Sequence, residues 1–205
     1  MMDLFISNTP LILASKSSAR QTMLRNAGYS FAIESADLDE AQLIKELTKQ
    51  NRAPEEIVIH LAQAKARHVS LHHRNAYILG ADQLLICQGE VYSKPEHRLA
   101  AREQLLKLSG RTHELYSGAA LVLNDAIVAT AISKASITLR EMTPREIEDY
   151  LDFAGPDILH CVGSYQLEGA GIHLFEHIEG DYWTILGLPL LELNRKMREL
   201  NLSAF

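Results

Sequence analysis

Apolar residues in this chain fall into short runs separated by polar punctuation, and the spacing of those runs predicts an alternation of strands and helices. Leu11-Ile12-Leu13-Ala14 is too short for a helix and reads as a buried strand. It breaks into Ser15-Lys16-Ser17-Ser18-Ala19-Arg20, and a helical pattern follows over residues 21–27. Residues 31–35 form a short extended piece. The acidic cluster Asp37-Leu38-Asp39-Glu40 then leads into a helix that runs to about Thr48. Ala53-Pro54-Glu55-Glu56 opens a further helix, with Pro at its first position and carboxylates in its first turn. Its periodicity carries it to about Leu71 and turns Ile57, Leu61, Ala64 and Ala66 toward the core. Tyr77-Ile78-Leu79 predicts a buried strand that ends at Gly80-Ala81-Asp82-Gln83, and Gln88-Gly89 predicts a tight turn between strands at 84–87 and 91–92.

The second half is patterned differently. A helix over 95–109 closes at Ser109-Gly110, and two long extended runs, 113–123 and 126–139, meet at Asn124-Asp125 as a hairpin. Thr143-Pro144-Arg145-Glu146 is a capping box with Pro at the first helical position, which makes it the clearest helix start in the chain. A loop-rich stretch around 155–171 precedes a strand over 172–177, and a last helix follows Leu188-Pro189. No internal repeat is present. The pattern predicts an α/β protein with a mixed, strongly twisted sheet flanked by helices, and the long hairpin suggests two lobes with a central cleft, within a single domain over 1–205.

Composition narrows the functional classes. The 205 residues are 47% hydrophobic and 22% charged, enough for a full core and too ordered in composition for a disordered chain. A net charge of −6 argues against a nucleic-acid partner, which would call for a basic face. Any phosphate site must therefore be a local basic focus, for which Lys16, Arg20, Lys65 and Lys94 are the candidates. Cys87 and Cys161 stand far apart with no Cys-x-x-Cys motif and read as thiols. No run approaches the ~18 apolar residues of a membrane span, and Met1-Met2-Asp3-Leu4 lacks a basic leader, so a cytoplasmic chain without a membrane partner is expected.

The junction at Ser15–Arg20 has the makings of an anion site. Helix-start N–H groups point outward, the helix dipole favours negative charge, Ser15 and Ser17 add donors, and Arg20 can grip two phosphate oxygens at once. A capped helix with solvated cations fits the same residues. Asp82 follows an apolar strand, and ligands of α/β sheets bind at strand ends, although a turn aspartate would look alike. Lys94 is held on a turn by Pro95 or is simply solvated, and Glu40 is either a ligand or a first-turn carboxylate. Carboxylates near lysines and a phosphate loop predict metal-assisted phosphoryl chemistry with Mg²⁺ or Mn²⁺. His68 and His72, four apart, lack the companion residues of a zinc helix, and Ser15 has no nucleophile elbow.

Taken together, these motifs occur in a familiar order. Leu11 through Arg20, Asp37-Leu38-Asp39-Glu40, Leu61-Ala62-Gln63-Ala64-Lys65-Ala66, Gly80-Ala81-Asp82-Gln83 and Ser93-Lys94-Pro95 are followed by Leu108-Ser109-Gly110-Arg111-Thr112-His113. Gly163-Ser164-Tyr165, Glu179-Gly180-Asp181-Tyr182 and Gly187-Leu188-Pro189-Leu190 complete the series. Over nearly its whole length the chain resembles the Maf (septum-formation-inhibitor-like) family of nucleoside triphosphate pyrophosphatases. The resemblance implies metal-dependent hydrolysis between the α and β phosphates, a two-lobed α/β fold with the active site in its central cleft and, often, a homodimer. It implies that Ser15, Ser17, Arg20, Lys65 and Lys94 hold the triphosphate. It further implies that Glu40 and Asp82 serve the metal and that Asp82 activates the attacking water. The chain departs from the commonest family pattern at Ala19, Ser93, Gln83, Glu168 and Trp183-Thr184. Gln83 and Glu168 are shared with the branch that acts on 7-methyl-GTP. A carboxylate at Glu168 suits the two adjacent donors of guanine, and Trp183 or Tyr165 could stack on a methylated, cationic ring. Glu168 beside the metal or phosphates is the other reading. A catalytically weak nucleotide-binding regulator of cell division remains the alternative to an enzyme.

Overall fold

A strand whose four residues are all buried needs cover on both faces and partners on both edges, which parallel pairing inside an α/β sheet supplies. In a computed structural model, which describes residues 3–204, Leu11–Ala14 is such a strand, β1. Met1, Met2 and Phe205, at the ends of the expected 1–205 domain, lie outside the described residues. After β1 come α1 (Ser18–Asn26), β2 (Ala32–Ile33), α2 (Glu40–Lys49) and α3 (Pro54–Ser70). β3 (Tyr77–Cys87), β4 (Glu90–Tyr92) and α4 (Arg98–Leu108) lead into the long β5 (Thr112–Leu123) and β6 (Ala126–Leu139). The chain ends with α5 (Pro144–Ala154), β7 (Phe175–Glu179), α6 (Tyr182–Ile185) and α7 (Leu190–Glu199). The strands form one mixed sheet of seven in the order β2-β1-β3-β5-β6-β7, with β4 antiparallel on β3. β1 is parallel to both β2 and β3.

The described chain divides into two compact units. One contains the chain up to Gln83, Tyr116–Ser133 and the residues from Gly187 onward; the other contains Leu84–Leu115 and Lys134–Leu186. In the first, Ile12, Ala14, Ala66, Val69, Ala76, Ile78 and Val122 form a core cluster. α3 buries Ile57, Val58, Leu61, Ala62, Ala66 and Val69, so the apolar stripe falls where its spacing predicts, with Ala62 inside and Ala64 half-buried. In the second, Leu85, Leu105, Leu108, Leu115, Ile137, Leu139, Ile147 and Leu151 pack together.

Local chemistry explains several boundaries. Asn124 and Asp125 both take positive φ, 51° and 66°, as a two-residue hairpin of the strand-compatible hand requires. Thr143 Oγ1 accepts from the Glu146 N–H at 3.2 Å, and Glu146 Oε2 accepts from the Thr143 N–H at 2.7 Å, closing the capping box. Those bonds, with Arg140 nearby, pull the Glu146 carboxyl down to about 2. α1 starts at Ser18, earlier than its apolar periodicity implies, because the Ser17 hydroxyl accepts from the Arg20 N–H. α4 starts at Arg98 rather than 95, where the His97 ring accepts from the Ala100 N–H at 3.1 Å.

Two strands differ from expectation. Residues 77–79 and 84–87 belong to one continuous strand, so Gly80-Ala81-Asp82-Gln83 lies mid-strand and not at a strand end. Gly80 is there for packing: a Cβ would stand 2.1 Å from the Ala62 carbonyl oxygen and 2.8 Å from the Ala66 nitrogen, so the α3 backbone rests directly on β3. Residues 170–174 form a 3-10 turn, and β7 begins only at Phe175. At Gly171 a Cβ would lie 2.3 Å from the Gln166 carbonyl oxygen, so the chain is folded back on itself where an extended strand was expected.

Candidate active site

The first unit contains seven of the expected residues: Ser15, Ser17, Arg20, Glu40, Lys65, Asp82 and Gln83. β1 delivers Ser15 at its end, in register beside the Gly80 segment of β3. Ser15 Oγ accepts from the Ser17 N–H at 3.2 Å, which shapes the turn into α1. The first-turn N–H groups of a helix have no acceptor within it. Arg20 N is taken by Ser17, which leaves those of Ser18 and Ala19 for an outside acceptor.

Arg20 is 8% exposed and turned inward. Its Nε donates to the Gly187 carbonyl at 2.7 Å, and Nη1 donates to the Ala81 carbonyl at 3.0 Å and to Ser15 Oγ at 3.2 Å. Nη2 stands 4.0 Å from Asp82 Oδ1. Burial lowers the guanidinium pKa, and the Asp82 and Glu40 carboxylates oppose that shift. The Nε–Nη1 edge that could grip two phosphate oxygens is thus already bound to the protein. Gly187, at φ 99°, completes the arrangement: a Cβ there would lie 3.4 Å from both Arg20 Nη2 and Gln83 Oε1.

Asp82 is buried at 7% exposure in the middle of β3. Its Oδ1 accepts from the Gln83 N–H at 2.7 Å, which fixes the carboxylate plane. Its Oδ2 lies 2.9 Å from Lys65 Nζ, yet the direction of approach makes no hydrogen bond, and this buried oxygen has none from any other group. Lys65 projects from α3, and the same Nζ is 2.9 Å from Glu40 Oε1 at the start of α2. The close seat of α3 on Gly80 therefore sets the reach of Lys65 toward Asp82. Gln83 donates through Nε2 to the fully buried Ser117 Oγ at 3.3 Å.

Lys94 and Glu168 belong to the second unit. Lys94 is exposed between β4 and α4, and Glu168 is exposed in the turn before residue 170. Gln104 organises the neighbourhood of Lys94: its Nε2 donates to the Ser93 carbonyl at 2.7 Å, and its Oε1 accepts from the buried Ser164 hydroxyl at 2.9 Å. Tyr165 is 5% exposed, packs edge-on against Phe175 and pairs with His113 Nε2 at 2.6 Å, so it is a core residue with no free face for a base. Trp183 is half-buried beside Tyr182. Gln104 and Ser117 carried no sequence signal of their own, and Gly187, although part of a quoted motif, gave no sign that its carbonyl receives Arg20.

Among the described residues, no three His, Cys, Asp or Glu side chains are grouped to hold a metal by themselves. The donor set still fits a hard divalent ion. Glu40 and Asp82 converge on one cationic nitrogen, and an oxygen of Asp82 is buried without a hydrogen bond. Mg²⁺ is commonly held by one or two carboxylates, with water and substrate phosphates completing the shell. No described helix is long and apolar enough to cross a membrane.

The fold and site together define a mixed α/β protein whose sheet carries a buried acid, Asp82, between the cations Lys65 and Arg20. The sequence pattern of the Maf-like proteins matches residues 10–200, and the chain belongs to that family. A nucleoside triphosphate pyrophosphatase of Rhodopseudomonas palustris is 45% identical over 203 residues, covering 99% of this chain and 100% of its own length. A 7-methyl-GTP pyrophosphatase of Rhizobium meliloti is 44% identical over 190 residues, covering 93% of this chain and 96% of its own. Another 7-methyl-GTP pyrophosphatase, of Bartonella quintana, is 42% identical over 192 residues, covering 94% and 96%. Identity does not separate the two kinds of relative.

Proposed function

We propose that this protein is a nucleoside triphosphate pyrophosphatase, a hydrolase that adds water across the α–β phosphoanhydride to release a nucleoside monophosphate and pyrophosphate. Family membership and the names of relatives that span the chain support the reaction class. The observation that supports its location is Asp82, a buried carboxylate beside Lys65 and Arg20 with one oxygen lacking any hydrogen bond.

In this reading each residue has a distinct task. The hydroxyls of Ser15 and Ser17 and the free N–H groups of Ser18 and Ala19 receive phosphate oxygens at the positive end of α1. Lys65 supplies mobile positive charge. Asp82 accepts the proton of the attacking water at Oδ2, the oxygen that the Gln83 N–H leaves available. Arg20 holds the floor of the site, joining Ser15, Ala81 and Gly187 and leaving only Nη2 for an outside group. Glu40 and Asp82 would hold Mg²⁺ or Mn²⁺. When bound, that ion neutralises charge on the phosphates and polarises them. Lys94 and Glu168 keep the roles that the resemblance implies, on phosphate and on base or metal. The resemblance also implies a homodimer, and we propose a cytoplasmic location.

7-Methyl-GTP is the favoured substrate in this reading, on the strength of Gln83, Glu168 and the names of two relatives. A panel of 7-methyl-GTP, GTP, UTP and dTTP, assayed with Mg²⁺ or Mn²⁺ for monophosphate and pyrophosphate, tests both levels. The expected result is equal molar release of the two products, with the highest kcat/KM on 7-methyl-GTP. Orthophosphate and a diphosphate as products would contradict the reaction, and a preference for UTP or dTTP would contradict the base assignment.

A further inference from the structure

The two acids expected to receive a divalent ion already share a cation. Lys65 Nζ lies 2.9 Å from Glu40 Oε1 and 2.9 Å from Asp82 Oδ2. The Lys65 and Asp82 side chains are each 10% exposed, whereas that of Glu40 is 46% exposed, so the ammonium sits on the inner side of the pair. With Arg20 Nη2 4.0 Å from Asp82 Oδ1, two positive charges face two negative ones and the cluster is balanced. A divalent ion entering beside a retained ammonium would meet like charge at short range, and that repulsion is strong wherever water is excluded.

The ammonium is also the easiest of these groups to move. A lysine carries a compact charge on a four-carbon stem, while Arg20 is anchored by three hydrogen bonds. The contact between Nζ and Asp82 Oδ2 is an ion pair without hydrogen-bond geometry, so little directional bonding resists its exchange. Triphosphate oxygens at the N-terminus of α1 would offer Lys65 an alternative anion. Its departure would leave Glu40 and Asp82 with one net negative charge, since Arg20 stays in place, and with open oxygens.

We propose that Lys65 is a resident counter-cation: in the free protein it closes Glu40 and Asp82 to a divalent ion, and it releases them when nucleotide phosphates draw its ammonium away. Metal and nucleotide binding are then coupled through one side chain, and the free protein has low affinity for the metal alone. This inference rests on the function proposed above and deepens it.

The test is Mn²⁺ binding without nucleotide, measured from the electron paramagnetic resonance signal of the unbound ion, in the parent and in Lys65→Gln checked for fold by circular dichroism. Lys65→Gln is expected to bind Mn²⁺ about tenfold tighter or more, and adding Glu40→Gln is expected to remove the gain. Equal affinity in the parent and folded Lys65→Gln would overturn the proposal. A second measurement uses the parent alone, so it does not depend on the variant folding. The NMR signal of the Lys65 ammonium should stay in place with millimolar Mg²⁺ and shift when a non-hydrolysable triphosphate is added. A shift with Mg²⁺ alone would overturn the proposal as well. The substrate panel on the parent separates the two readings: absence of turnover would end the proposed function, while the Mn²⁺ comparison involves no substrate.

Discussion

Arg20 shows how far a side chain's surroundings can redirect what its type suggests. An arginine beside two serines at a helix start reads as a phosphate fork, and its position in the loop was legible. Its partners were not, since the Gly187 carbonyl is 167 residues away in sequence. With Nε and Nη1 on three internal acceptors, removing the guanidinium takes a donor from the Ala81 and Gly187 carbonyls and leaves Asp82 with one cation fewer. Arg20→Ala is therefore expected to cost about 3 kcal/mol in urea unfolding, within the range for breaking buried charged networks, in addition to its effect on turnover. Arg20→Lys should recover little, because an ammonium cannot span the three acceptors. A surface phosphate ligand would instead leave stability unchanged on substitution, so an unfolding midpoint equal to that of the parent would return Arg20 to that role.

At the scale of elements, sequence chemistry succeeded where a boundary is made by local bonds. The Thr143 capping box and the Asn124-Asp125 turn are both decided by residues within four positions of each other. It failed where packing decides. Gly80 looks like a strand terminator, but it is the point where the backbone of α3 lies on β3, a contact between residues far apart in sequence. Asp82 consequently occupies the interior of a strand, held more firmly than a loop end would hold it. Gly80→Ala places a methyl 2.1 Å from the Ala62 oxygen and must lift α3, and Lys65 with it. We expect destabilisation of about 3 kcal/mol or more, at the upper end for overpacking, together with loss of turnover. Unfolding curves like those of the parent would show that the helix does not rest on the strand.

For the whole molecule, the α/β class and mixed sheet were visible in the alternation of short apolar runs, and the net charge of −6 turned attention to local basic groups. One contribution to stability against acid was not visible, because it comes from a histidine that only the fold buries. His113 is 1% exposed, bonded to Tyr165 through Nε2, with Nδ1 buried and unpartnered, and burial pushes its pKa down to about 4. The unfolded chain, with an ordinary value of about 6.5, binds the extra proton first. The contribution of neutral His113 is therefore complete above about pH 6.5 and lost as pH falls toward 4, on the order of 3 kcal/mol across that window. His113→Gln keeps a polar partner for Tyr165 and cannot titrate. Its unfolding free energy should fall less steeply than that of the parent between these pH values, and parallel pH slopes would contradict the assignment.

The central claim is that Asp82, held mid-strand with one oxygen on the Gln83 N–H and the other directed at Lys65, is the base of the reaction. Asp82→Asn preserves shape and can still accept from Gln83, but it cannot take a proton from water. The decisive measurement is single-turnover release of pyrophosphate by the parent and Asp82→Asn under saturating nucleotide and metal, with nucleotide affinity determined on the same samples. The account predicts a rate lower by ~10²–10⁴-fold with nucleotide still bound. A folded Asp82→Asn protein that releases pyrophosphate at a rate close to that of the parent would contradict it.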